Sequence, residues 1–558
     1  MRRVLGICAL LFALAFALFS SSRDDHAVPV SPPPPKIQRR VLLVPLDSRP
    51  PCGRFVQDTA RIAGVEVILP PAELLDEYFR PGDCDALQSW TMEHLAGCDA
   101  AILSIDQLLH GGLIASRQAK KKPDDEARLL AFLRELRAAH PAVPLYAFSI
   151  LPRMTPPDGL CDWHEQKRLM KYSRLVGKIS RETPPTYEDL AALAALRSSI
   201  SPENLARYEA LFANYAEFGH RLIALAEDGT LDRLVIGQDD SEPNSIPNLI
   251  LRQLSETCEK KHISGDRIFL AQGADELALS ILAAAEAKRE GFSPHVALAY
   301  SNASAPGRVL PYMGATLDET AREKIRFTGG TPVLSPKDAD FTLYLSANDE
   351  TTKATRRNAA GEISALLADS RAVALVDLAE HFTLDETLLP VLLETGTPVH
   401  ALAAYAGWNT ASNAIGNAVA HAVLLQIARH RAETEDDALR AAAAHLSILD
   451  GRMLEDGFYL KDAIDHLNFS LEKCGAQNGR GLEYNYNYPL ASLLLDAAME
   501  NRRARFVHTA AYSAPFSFAT ENTTLRLRAV GCTTAARFPW PRTFEIDLRA
   551  KTQIEKLQ

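Results

Sequence analysis

The chain has no Cys-x-x-Cys pair and no cluster of cysteine with histidine, so a conventional zinc site is not expected. Its eight cysteines fall at irregular spacing. Cys8 lies in the N-terminal apolar run, and the seven that remain form no disulfide framework, although Cys84 and Cys98 are a possible pair in an oxidising compartment. Lysine and arginine, 60 in all, are outnumbered by 70 aspartates and glutamates and nowhere gather into a stripe. That argues against a nucleic-acid partner. No segment repeats, which sets stacked-repeat folds aside. Tryptophan is scarce, with four in 558 residues, few for a protein that grips sugar rings. No apolar run is long enough for a spanning helix. The longest, Val4 to Phe19, follows Arg2 and Arg3 and precedes three serines. This is the layout of an export signal, cleaved or kept as an anchor. Cys8 does not suit lipid attachment, because Ile7 stands where a small residue is wanted.

What is present has a clear rhythm. Residues 1–22 are read as the signal or anchor and residues 23–40 as a tether, whose "VPVSPPPPKIQRR" is semi-rigid and extended. From residue 41 to about 434, short aliphatic runs alternate with amphipathic helical stretches. Ten runs qualify: "VLLVPL", "VEVILP", "AAILSI", "PLYAFSI", "RLVIGQ", "RIFLAQ", "HVALAY", "FTLYLS", "AVALVDL" and "PVHALAAY". Uninterrupted apolar strands spaced by helices predict a parallel sheet with both faces covered, an α/β body. Its form is a (β/α) barrel or two doubly wound lobes. A helical insertion is expected at about 158–230, where ninety or so residues separate two strands. Residues 435–558 read as helices followed by a β-rich tail.

In either architecture the site lies at the carboxyl ends of the strands, and those ends are polar here. The first gives Asp47 and Arg49, which either bind a polar ligand or pair with each other. The third gives Asp106, His110, Gly111 and Gly112. The glycines bring backbone close to a ligand or simply make a turn. The fourth gives Arg153. The fifth gives Asp239 and Asp240, more carboxylate than a helix cap requires. Such a pair serves as general acid and ionised partner, or binds a hard cation. The sixth gives Asp275 and Glu276, where capping is a rival. Later ends give Tyr300 to Asn302, then Asn348 with Asp349 and Glu350, then Asp377. The last gives Trp408 and Asn409, with Asn413, Asn417 and His421 spaced by four along an Ala/Gly-rich helix. Buried amides there bond the body's backbone or meet a hydroxyl-rich ligand, and Trp408 is a stacking platform or a buried anchor.

Six segments in order, "VPLDSRP", "LSIDQLLHGGLIASR", "IGQDDSEP", "QGADELA", "YAGWNTASNAIGNAVAHA" and "FPWPRTFEIDL", resemble a largely bacterial family catalogued as domain of unknown function 4127. The family often has a second aspartate at Ser48 and a tyrosine at His110, which implies that neither position is indispensable. The resemblance implies no activity. A looser likeness, the strand-end "QDD" and a distant "WN", is similar to the paired-aspartate β-N-acetylhexosaminidases on (β/α) barrels. It implies that Asp239 orients an acetamido group and Asp240 protonates the leaving group, an exception to the usual separated carboxylates.

The expectation is therefore an exported hydrolase of a glycan or other polyhydroxylated substrate, with Asp239 and Asp240 catalytic and no cofactor. Asp47, Arg49, Asp106, Gly111, Gly112, Arg153, Asp275, Glu276, Trp408, Asn409 and Asn413 would bind substrate. Two alternatives stand beside it. One is a metal-dependent hydrolase holding a divalent cation through the oxygens of Asp47, Asp106, Asp239 and Asp240. The other is a two-lobed, non-catalytic solute-binding protein. The expected partner is a small molecule or glycan, with membrane tethering only through the N-terminus.

Overall fold

Each of the ten aliphatic runs contributes a strand to one of two parallel sheets. The computed structural model describes residues 27–118, 124–157, 159–348, 353–475 and 480–558. The segment read as an export signal, the first residues of the tether, Asp349 and Glu350 lie outside these. In chain order, β1 (Ala27–Val30) belongs to a C-terminal sheet. It is followed by β2 (Arg39–Val44), β3 (Val65–Ile68), β4 (Ala100–Ser104), β5 (Leu145–Leu151), β6 (Arg233–Gln238) and β7 (Ile268–Gln272). These last six form one parallel sheet in the order β3-β2-β4-β5-β6-β7. Every residue of β4 is buried, which is why that strand reads as an unbroken apolar run.

A second parallel sheet follows. It contains β8 (His295–Tyr300), β9 (Thr331–Val333), β10 (Phe341–Asn348), β11 (Val373–Ala379) and β12 (Ala404–Ala406), ordered β12-β11-β10-β8-β9. β9 has no counterpart among the ten runs. It is a three-residue edge strand with Pro332 at its centre, and it pairs with β8 alone. The body is thus two doubly wound sheets and not a barrel. Both wind the same way, the second strand outside the first and the rest on the other side. That order puts a topological switch point between β2 and β4 in the first sheet and between β8 and β10 in the second.

The two lobes share one core. The helix Leu277–Glu290 leads out of the first sheet and packs on the helix Ala411–Arg431, in which every residue from Ala411 to Ala428 is buried. Gly416 is required at their crossing, since a Cβ there would lie 2.3 Å from Glu276 Cγ. Lys324, on the helix Leu317–Phe327 of the second lobe, is 1% exposed and donates to Glu276 Oε1 at 2.6 Å. The C-terminal region adds helices and an antiparallel sheet of β13 (Phe516–Ala519), β14 (Thr524–Arg537) and β15 (Asp547–Leu557), with β1 on its edge. Among the described residues no helix is long and apolar enough to cross a membrane. Cys84 and Cys98 are both free, so the pairing considered from their spacing does not form.

Between β5 and β6 stand three helices, Trp163–Ile179, Tyr187–Ser199 and Pro202–Glu227, each opened by a side-chain cap from Asp162, Thr186 and Ser201. They clamp the strand ends. Tyr208 donates its hydroxyl to Met154 O at 2.5 Å, and Arg174 forks onto Glu242 at 2.6 and 2.7 Å. Gly177 lies against the backbone of the following loop, where a Cβ would be 2.5 Å from Ser245 N. Backbone cannot step aside as a side chain does. Gly177→Ala is therefore expected to cost about 1–3 kcal/mol, read as a lowered thermal midpoint. An unchanged midpoint would show that the insertion is not docked this way.

Candidate active site

The carboxylate pair sits where β6 ends. Gly237 has no room for a side chain, because a Cβ would meet Leu277 Cδ1 at 2.4 Å and Gly273 O at 2.8 Å. The chain then turns out, with Met154 N donating to Asp240 O at 2.9 Å and Asp240 N donating to Asp239 Oδ1 at 2.9 Å. Arg117 holds the other oxygen of Asp239. Burial would raise the pKa of Asp239, but Arg117, Arg153 and the Asp240 N–H outweigh it and the carboxylate stays below its usual range. Asp240 behaves in the opposite way. Burial first, then the charge of Asp239, push it up to about 7, with Asp275 adding to the push and Arg117 and Arg153 opposing it. Among the described residues the Asp240 carboxyl accepts no hydrogen bond, and it remains partly open to solvent. The outcome is one ionised carboxylate beside one that exchanges its proton near neutrality.

Asp275 leads to a second network at the end of β2. Arg49 is 6% exposed and forks onto Asp47, with Nη2 2.6 Å from Oδ2 and Nε 3.1 Å from Oδ1. It also donates through Nη2 to Asp275 Oδ1 at 2.7 Å. Burial would lower its pKa, but Asp275 and Asp47 raise it well above the ordinary value. Trp408 donates Nε1 to Asp275 Oδ2 at 3.3 Å and is fully buried, edge-on to Phe55. Its ring has no face to offer a ligand, so it is an anchor and not a stacking platform. Trp540 lies 5.2 Å from the Arg49 guanidinium and donates to Ser48 Oγ at 2.8 Å. Ser48 N in turn donates to Asp76 Oδ1 at 2.8 Å. Burial, then the charge of Asp47, raise Asp76 to about 8, and its Oδ2 is buried without a hydrogen bond.

Several expected site residues have structural work. Asp106 Oδ2 accepts from Ile150 N at 2.8 Å and its Oδ1 from Tyr215 at 3.1 Å, tying the β4 end to β5 and the insertion. Gly111 and Gly112 have positive φ of 74° and 124°. Side chains there would collide with the backbone of Gly82 and with the Asp76 carboxyl. Gly111 admits the backbone of Gly82, and Gly112 admits the Asp76 carboxyl. Asn413 Oδ1 accepts from Ala274 N at 3.2 Å, the backbone option for that amide. Glu276 pairs with Lys324 through Oε1, and its Oε2 is buried without a hydrogen bond. Arg153 is close enough to act on both Asp239 and Asp240. Asn409, at a φ of 48°, is half-buried beside Tyr312, Phe382 and Lys461 in a small pocket at the β12 end.

The pair Asp239–Asp240, Arg153, Asp275, Arg49 and Asp47 therefore gather at one end of the first sheet, whereas Asp106, Gly111, Gly112, Trp408 and Asn413 serve the fold. The four aspartates of the metal reading do not pool their oxygens. Asp47 is held by Arg49, Asp106 by Ile150 and Tyr215, and Asp239 by Arg117. Among the described residues no group of three or more His, Cys, Asp and Glu is arranged to hold a metal ion. A crevice of about 1640 Å³ between β3 and the C-terminal region reaches Asp47, Ser48 and Asp76 but not the Asp239–Asp240 pair. Tyr78, Tyr312 and Phe382 have positive φ of 56°, 67° and 56°, costly for aromatic residues and the kind of strain that collects at functional sites. Arg117, Asp76, Trp540 and Tyr312 join the site from outside the sequence-based set. Arg117 and Trp540 lie inside quoted segments. Asp76 and Tyr312 carry no local signal.

A family model described as Protein of unknown function (DUF4127) matches residues 41–549. No curated protein matches the chain. The family match covers well over half of the sequence, and the chain belongs to that family.

Proposed function

We propose that this member of the family is an exported hydrolase acting on a glycan or other polyhydroxylated substrate, with Asp240 as the group that gives and takes the proton. The observation that carries this reading is the Asp240 carboxyl, shifted to about 7 beside an ionised Asp239 and accepting no hydrogen bond among the described residues. A general acid works best when its pKa lies near the working pH. Asp239 supplies the charge that keeps the proton on Asp240, and Arg117 and Arg153 keep Asp239 ionised. Each Asp239 oxygen already accepts one hydrogen bond, from Arg117 or from Asp240 N, and a carboxylate oxygen has a second lone pair with which to orient an acetamido group. A two-lobed solute trap needs a hinge, and the buried Lys324–Glu276 pair, which joins the second lobe to the first and would have to break in an opening motion, works against one.

The test is a panel of nitrophenyl glycosides, N-acetylhexosaminides included, assayed from about pH 4 to about pH 9 with and without chelator. Chelator-resistant turnover is expected, with kcat/KM falling as pH rises through about 7 and Asp240 loses its proton. Failure to turn over any glycoside would sink the glycan reading. Turnover that a chelator abolishes would favour the metal alternative.

A further inference from the structure

The described surface carries one cluster of exposed aromatic rings next to this network. Glu77 to Arg80 form a tight turn, closed by Glu77 N to Arg80 O at 2.9 Å and Arg80 N to Glu77 O at 3.0 Å. Tyr78 in that turn adopts a φ of 56°. Its ring lies tilted against those of Phe79 and Trp540, with centroids 4.0 and 5.5 Å away, and Trp540 is the ring beside Arg49. A segment some four hundred residues away completes the cluster. Tyr484 donates its hydroxyl to Glu77 Oε1 at 2.7 Å and lies 5.1 Å from the ring of Tyr488. Phe79 and Tyr484 are each 51% exposed, too open for core residues. A strained turn and a bond across the chain hold rings in water, an arrangement that folding alone does not reward.

We propose that this aromatic rim binds an oligosaccharide chain and leads it into the crevice beside β3, an extension that rests on the glycan reading above. Sugar rings pack an apolar face on aromatic rings while their hydroxyls seek polar groups at the edge. The rim supplies both, since Glu77 and Arg80 stand between its rings. Glu77, Arg80 and Tyr488 line the crevice together with Asp47, Ser48 and Asp76 at the end of β2. The crevice thus joins the rim to a polar wall. A lipid surface would select rings without the interleaved charges.

The test is the double variant Phe79→Ala with Tyr484→Ala, in which neither ring is buried and the fold should persist. Chito-, cello-, xylo- and maltohexaose are titrated calorimetrically into the wild type, the double variant and Asp240→Asn. At least one hexaose should bind the wild type, bind the double variant about tenfold more weakly and bind Asp240→Asn as well as the wild type. If no hexaose binds, or the double variant binds equally well, the platform is overturned. It is also overturned if the variant instead loses binding to phosphatidylglycerol–phosphatidylethanolamine vesicles. Hexaose binding that depends on the rings, without turnover of any sugar, upholds the platform and overturns only the hydrolase reading.

Discussion

Asp240→Asn should remove about two to four orders of magnitude of kcat, the usual contribution of a general acid or base, and leave the protein more stable than the wild type. Both effects have one cause. The carboxyl has a folded pKa of about 7 against an ordinary 3.8, so the folded state holds its proton more tightly than the unfolded chain. Between those two values the unfolded state binds fewer protons, and stability falls as pH rises. Below 3.8 the penalty is absent, and above about 7 it is complete. Asparagine cannot ionise, so it escapes the penalty. The gain should be roughly 1–2 kcal/mol at neutral pH and should shrink as the solution is acidified toward 3.8. Thermal midpoints of the two proteins across this range are the measurement. A variant that is inactive but less stable at every pH would mean that Asp240 is a structural carboxylate and that the acid–base assignment is wrong.

The sequence made the fold legible because burial on both faces leaves no room for ambiguity. "AAIL" and "VALV" have no polar residue where a half-exposed strand would show one, and they became parts of β4 and β11. The β9 strand was hidden for the opposite reason. Three residues around a proline on an edge carry no pattern. The choice between barrel and two sheets was not legible, since it depends on which strands pair across distances the local pattern does not encode. At the site, the adjacency of Asp239 and Asp240 was visible, and so was the polarity of every strand end. Which polar groups face the site was not visible. Asp106 and Asp275 look alike in sequence, each at the end of a strand before a helix. One is consumed by Ile150 N and Tyr215, and the other reaches across to Arg49. Trp408 reads as a platform until burial shows its ring enclosed. The exposed rings were missed because Tyr78 and Tyr484 meet only in the folded chain.

Arg49→Ala tests the second half of the site, and it should be the most damaging single change. The guanidinium is the counter-charge of both Asp47 and Asp275, which are 0% and 4% exposed. Taking it away leaves two buried carboxylates facing each other without compensation, a loss of about 3–5 kcal/mol. Arg49→Lys should recover little, because an ammonium does not fork onto two carboxylates or lie flat against Trp540. The charge of Asp275 would then act unopposed on Asp240. Since Asp275 already pushes the Asp240 pKa upward, the variant that survives folding should show its alkaline activity limb moved to higher pH. Arginine loss would ordinarily be expected to weaken a site uniformly, so the displaced limb separates an electrostatic role from a packing role. Urea unfolding gives the stability term and the pH profile of kcat/KM gives the shift. A variant within about 1 kcal/mol of the wild type, with an unmoved limb, would show that Arg49, Asp275 and Asp240 do not act as one unit.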